Sequence, residues 1–137
     1  MAGILIVAHT PLASAMLDFV EHIYGQVPEN VSAVNVPPHE DVKLTLNKLI
    51  SIVDGFKGEE EVLVITDIMG ATPSNVASRL INHTYSLKDI QVVTGVNLPM
   101  LLRAISHRHE PIEQIVEKSL QGGQQGVIKI RDSSKVS

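Results

Sequence analysis

Residues 4–13 read ILIVAHTPLA: five aliphatic residues, then a histidine, a threonine and a proline. Residues 62–75, VLVITDIMGATPSN, repeat that order with an aspartate in the histidine's place and a longer loop before the Thr-Pro pair. A near-continuous aliphatic run of this length reads as a strand covered on both faces. Thr-Pro ahead of a helical pattern reads as a helix start, with Thr10 and Thr72 as N-caps and Pro11 and Pro73 at the first helical positions. The two stretches are therefore strand-to-helix units, each carrying an ionisable side chain, His9 or Asp67, at the carboxyl end of its strand.

Outward from these units the alternation continues. Leu12, Met16, Phe19, Val20 and Ile23 fall on one helical face, stopped by Gly25. Val31 to Val36 reads as a strand ending at Pro37-Pro38. Val42, Leu46, Leu49, Ile50 and Val53 give a second helix, with Gly55 at its end. Val62 to Thr66 is a third strand, followed by a helix from Thr72 through about Ile81. Ile90 to Thr94 is a fourth strand, followed by GVNLPMLLRAIS with Pro99 near a helix start. Ile112, Ile115, Val116 and Leu120 form a last helical face closed by Gly122-Gly123. A short apolar strand, Val127 to Ile130, then precedes the polar RDSSKVS. Successive βα units with short connections predict an α/β, three-layer fold with a mainly parallel open sheet and helices on both faces. One domain is expected over residues 1–130, with a flexible polar tail over 131–137.

Composition narrows the function classes. The 137 residues are 44% hydrophobic and 19% charged with a net charge of −4, a globular composition without the basic surface a nucleic-acid partner would require. Cysteine is absent, so disulfides, thiol chemistry and Cys-ligated metals are excluded. Aromatic residues make up 3% with no tryptophan, which argues against a stacking platform. No signal-peptide pattern opens the chain and no apolar run approaches the roughly 20 residues of a membrane span, so the reading is cytoplasmic.

In open α/β sheets ligands collect beyond the carboxyl ends of the strands, which gives His9 and Asp67 a shared neighbourhood. A carboxylate bonded to one ring nitrogen of His9 would fix its tautomer and leave the other nitrogen as a nucleophile. The helix starts after both residues offer backbone N–H groups and a positive dipole end, and the Thr10 and Thr72 hydroxyls add donors. The attached group is therefore expected to be anionic, with phosphoryl the best fit, bound without metal or cofactor. Gly70 either permits a tight turn or lets the backbone approach a phosphate. His39, after Pro37-Pro38, stands in a loop where it could line the same face. His22 reads as a helix-flank residue, and His83, His107 and His109 as exposed helix-end residues.

At these residues the sequence resembles the enzyme IIA domain of the mannose-type family of the bacterial phosphoenolpyruvate-dependent sugar phosphotransferase system. The matching stretches are ILIVAHTPLA, ITDIMGATPSNVASRL and VVTGVNLPMLLRA, within a similarity from about residue 3 to 130. The resemblance implies a phosphohistidine carrier, a phosphotransferase component in which His9 accepts a phosphoryl group from the phosphocarrier HPr and passes it to an enzyme IIB partner. Asp67 matches the aspartate that hydrogen-bonds the active-site histidine. Thr72 matches a Ser/Thr near the phosphoryl group; Pro11 removes one N–H from the donor set, and the first-turn N–H groups of Thr10, Leu12 and Ala13 are expected to remain. The resemblance also implies an antiparallel C-terminal edge strand, exchanged across a homodimer, for which Val127 to Ile130 is the available segment. A stand-alone IIA protein is expected, peripheral to a membrane permease only through IIB. An alternative of another class is a regulatory interaction protein whose His9 phosphorylation state controls a target in an incomplete phosphotransferase system.

Rival readings lack their motifs. No G-x-G-x-x-G follows the first strand, no P-loop occurs anywhere, and G-x-S-x-G is absent. A receiver-type regulator would place acidic residues where His9 stands.

Overall fold

The computed structural model describes residues 1–56, 58–81 and 88–131. Its elements run β1 (Gly3–His9), α1 (Leu12–Tyr24), β2 (Val31–Val36), α2 (Val42–Gly55), β3 (Glu61–Thr66), α3 (Thr72–Arg79), β4 (Asp89–Thr94), α4 (Leu98–Ser106) and α5 (Ile112–Gln125). His83 lies outside the described residues, as does the tail from 132 onward.

The sheet has the order β2-β1-β3-β4, and every pairing among the described residues is parallel. β1 supplies the logic of the layers. Its alternate side chains point to opposite faces. Ile4, Ile6 and Ala8 enter one core with Leu63 and Ile65, packed against Ala13 and Val20 of α1, Leu101 and Ile105 of α4, and Ile115 of α5. Leu5 and Val7 enter the other core with Val62 and Val64, packed against Leu49 and Val53 of α2 and Val76 and Ala77 of α3. Two fully buried faces explain the unbroken aliphatic runs of β1 and β3.

Four features differ from the sequence reading. The antiparallel C-terminal edge strand is absent: Val127 to Ile130 forms no strand, and Val127, Ile128 and Ile130 are 78%, 75% and 89% exposed. A strand needs a neighbour to take its backbone groups, and this segment has no such neighbour among the described residues. Next, Gly122-Gly123 does not close α5, which runs on to Gln125. A Cβ at Gly122 would stand 3.0 Å from Arg103 Cβ, and one at Gly123 would stand 3.1 Å from Met100 Cε. These glycines sit inside the helix because α4 passes close to it, not because the helix ends.

The third difference is the phase of α1. Its buried residues are Ala13 and Val20, with Met16 and Leu17 packed partly against them, whereas Leu12 and Ile23 are exposed. The last concerns both Thr-Pro helix starts, each displaced by one residue, in opposite directions. Pro11, not Thr10, occupies the cap position of α1. Ala71 caps α3, leaving Thr72 and Pro73 inside its first turn.

Candidate functional site

Strand order places the site. Connections leave β1 toward β2 on one side and, through β2 and α2, reach β3 on the other, so β1 and β3 flank the topological switch point. Val7 of β1 is in register with Thr66 of β3, so the last residue of β1 and the first residue beyond β3 emerge side by side. They are His9 and Asp67.

Asp67 takes three N–H groups. Its Oδ2 accepts from the His9 backbone N–H at 3.0 Å and lies 2.6 Å from His9 Nδ1. Its Oδ1 accepts from the Ile68 N–H at 3.0 Å. Burial alone would raise the carboxyl's pKa; the His9 backbone N–H, the His9 ring and the Ile68 N–H outweigh it and hold Asp67 below the ordinary carboxylate range. An ionised carboxylate only accepts, so Nδ1 carries the proton of the shared hydrogen bond. In the neutral ring Nε2 is then left with its lone pair. Exposure divides the pair along the same line: the His9 side chain is 48% exposed and that of Asp67 10%. The carboxylate is largely buried and the imidazole is open to solvent.

The approach to His9 is a cleft of about 420 Å³ lined by His9, Val36, Pro37, Pro38, His39, Glu40, Val42 and Thr72. Val36 is there because it is the register partner of His9 and accepts the Thr10 N–H at 3.2 Å. Everything immediately after β2 therefore borders the site. Glu40, which no local motif singles out, accepts from Thr45 Oγ1 at 2.7 Å and from Lys48 Nζ at 3.1 and 3.0 Å. These bonds hold its carboxyl below the usual range despite the opposing effect of burial. The signal that could have found it is the β1–β2 register, which is not local in sequence.

The helix starts beside the cleft have unusual capping. Thr10 does not cap α1; Asn35 of β2 does so from across the sheet. Asn35 Oδ1 accepts the Ser14 N–H at 3.1 Å, and its Nδ2 donates to Ser14 Oγ at 2.9 Å. Ala15 N–H bonds Pro11 O at 3.0 Å, which leaves the N–H groups of Leu12 and Ala13 without a partner among the described residues. In α3 the Asn75 N–H is the first to bond back, to Ala71 O at 3.0 Å. Neither helix has a side-chain cap from its own N-cap residue. Dipole ends and free donors thus remain at the start of both helices.

His9 and Asp67 meet, and Thr72 joins His9 in the cleft walls. Thr10, Leu12 and Gly70 are exposed beside the cleft rather than lining it. Gly70 has φ 83° and nothing within 4 Å of where a Cβ would stand, so the loop conformation is its reason for being glycine. His22 is exposed on α1 and His109 beyond α4. His107 is half-buried, its Nδ1 paired with Glu110, which also takes Lys118 Nζ at 2.6 Å. The GVNLPMLL stretch is structural: Asn97 Oδ1 accepts the Met100 N–H at 2.9 Å while its Nδ2 donates to Gly123 O at 2.9 Å, tying the start of α4 to α5.

A histidine ring bonded to an ionised aspartate, at a parallel-sheet switch point among free helix N–H groups, is an arrangement that can carry a phosphoryl group. Comparison with known proteins agrees. Residues 3–120 match the model of the EIIA-man family, described as the phosphotransferase system fructose IIA component, and the chain belongs to this mannose-type family of IIA components. It is 33% identical over 114 residues to the sorbose-specific EIIA component of Lacticaseibacillus casei, covering 82% of this chain and 79% of that protein. It is 35% identical over 113 residues to the sorbose-specific EIIA component of Klebsiella pneumoniae, covering 80% and 76%. The crystal structure of the phosphotransferase system component EIIA from Streptococcus agalactiae aligns with a TM-score of 0.84 at 32% identity, over 94% of this chain and 97% of that one. The protein is a IIA-type phosphocarrier, of the class that relays phosphoryl groups between HPr and a IIB partner.

Proposed function

We propose that His9 Nε2 is the atom that carries the phosphoryl group. The observation that supports this reading best is the 2.6 Å contact between His9 Nδ1 and Asp67 Oδ2. In the forward step the Nε2 lone pair attacks the phosphorus of phospho-HPr. The new P–N bond forms as the donor's N–P bond breaks, and that electron pair stays on the donor ring. The His9 ring keeps its Nδ1 proton and becomes positively charged opposite the Asp67 carboxylate, while the donor ring becomes neutral. The same chemistry in reverse delivers the group to IIB. Asp67 fixes the tautomer and balances the ring charge.

The phosphoryl oxygens are held by the Thr10 and Thr72 hydroxyls, the N–H groups at the starts of α1 and α3, those of Leu12 and Ala13 among them, and the Gly70 backbone. Two features support this assignment: neither threonine hydroxyl caps its own helix, and first-turn N–H groups lack partners among the described residues. Stabilisation of this kind depends on preorganised donors and needs no metal. Phosphorus NMR of the phosphorylated protein tests the atom: the reading expects the signal of Nε2-linked phosphohistidine, and an Nδ1-linked signal would overturn it.

Two further parts belong to the same reading. The protein acts in the cytoplasm, in keeping with the lack of any helix long and apolar enough to cross a membrane among the described residues. It works as a homodimer, a reading supported by the three exposed aliphatic side chains of Val127, Ile128 and Ile130.

A further inference from the structure

We infer that His39 is a second phosphoryl-binding ring, one that stabilises the group on His9 and so sets how strongly the protein holds it. The inference rests on the phosphocarrier reading above. His39 lines the same cleft as His9 and Thr72. It gets there by register: Val36 pairs with His9, and residues 37–40 turn back directly beyond it, with the Glu40 N–H bonding Pro37 O at 3.4 Å.

Position and chemistry then combine. His39 is the third residue of this turn and has φ 63°, where glycine or asparagine is the easy choice, and proline precedes it as such turns prefer. The turn therefore gives no reason for an imidazole. The other ionisable wall residue, Glu40, is tied to Thr45 and Lys48. No hydrogen bond or ion pair engages the His39 ring among the described residues. An exposed imidazole with a free N–H, on the wall of the cleft that His9 also lines, suits a phosphoryl oxygen.

The experiment measures the equilibrium between phospho-HPr and the phosphorylated full-length chain for wild type, His39→Gly, His39→Asn and His39→Asp. All three replacements tolerate the left-handed conformation, and Asn and Asp are nearly isosteric. Loss of the ring in His39→Gly is expected to shift the equilibrium toward phospho-HPr on the order of tenfold to a hundredfold, the size of one charge-assisted hydrogen bond. His39→Asn, which restores a donor, should recover part of this shift, and His39→Asp should fall below His39→Gly. Equal values for Asn and Asp, or a wild-type value for Gly, would overturn the inference while leaving the phosphocarrier intact. A wild-type chain that takes up no phosphate at all would overturn the carrier reading and this inference with it.

Discussion

Asp67 is the residue on which the proposed site turns, because its Oδ2 meets both the His9 backbone N–H and Nδ1, while the Ile68 N–H anchors its Oδ1. Replacing it with alanine removes the acceptor but little packing, so the protein should fold while phosphorylation slows by at least about 10²-fold, as for other histidines left in the wrong tautomer. Single-turnover labelling checks this, and an unchanged rate would remove Asp67 from its orienting role. Its depressed pKa also has a consequence for stability. A carboxylate held below its unfolded value, about 3.9, stabilises the fold above that pH and loses the contribution as pH falls through the lower folded value. Urea midpoints should therefore decline more steeply for wild type than for Asp67→Asn as pH drops below about 4; parallel declines would contradict the pairing. His39 offers a second contrast at this scale. Relieving its positive φ by His39→Gly should leave stability unchanged or raise it by about 1 kcal/mol, measured by thermal melting, even as the site weakens.

Among the elements, the strands were the most legible. β1 and β3 are evident in the sequence because burial on both faces leaves continuous aliphatic runs, and the edge strand β2, though interrupted by Ser32 and Asn35, spans the expected Val31–Val36. The pairing of His9 with Asp67 followed from two strand ends alone. What escaped sequence reading was set by contacts between distant residues. Asn35 replaces a local N-cap on α1, and no nearby residue announces that. The small Ala13, not Leu12, faces the sheet, because large apolar side chains mark hydrophobicity rather than closest approach. In α5 a Gly-Gly pair that reads as a stop is instead a contact face. This last point yields a prediction: a Cβ at Gly126 would meet Pro99 Cγ at 2.4 Å, in a ring that cannot swing away. Gly126→Ala should destabilise the protein by about 1–3 kcal/mol through overpacking, and a chemical-denaturation midpoint equal to wild type would show that α5 can shift aside.

For the whole molecule, one face of the sheet's carboxyl edge collects the chemistry, while the end of the chain leaves three aliphatic side chains in solvent. Burying such side chains contributes roughly 1.5–3 kcal/mol each, so a chain ending at Gly126 should dissociate at concentrations where the full-length protein sediments as a dimer. Identical sedimentation would end the homodimer proposal without touching the site. The C-terminal segment is where the sequence misled, since an apolar run bounded by polar residues has strand character whether or not the chain supplies a neighbour for it. The central claim is tested most directly by the intact mass of wild type and His9→Ala after incubation with phosphoenolpyruvate, enzyme I and HPr. The account predicts one added phosphate in wild type alone, lost on mild acid treatment; a phosphate retained by His9→Ala, or none on either protein, would contradict it.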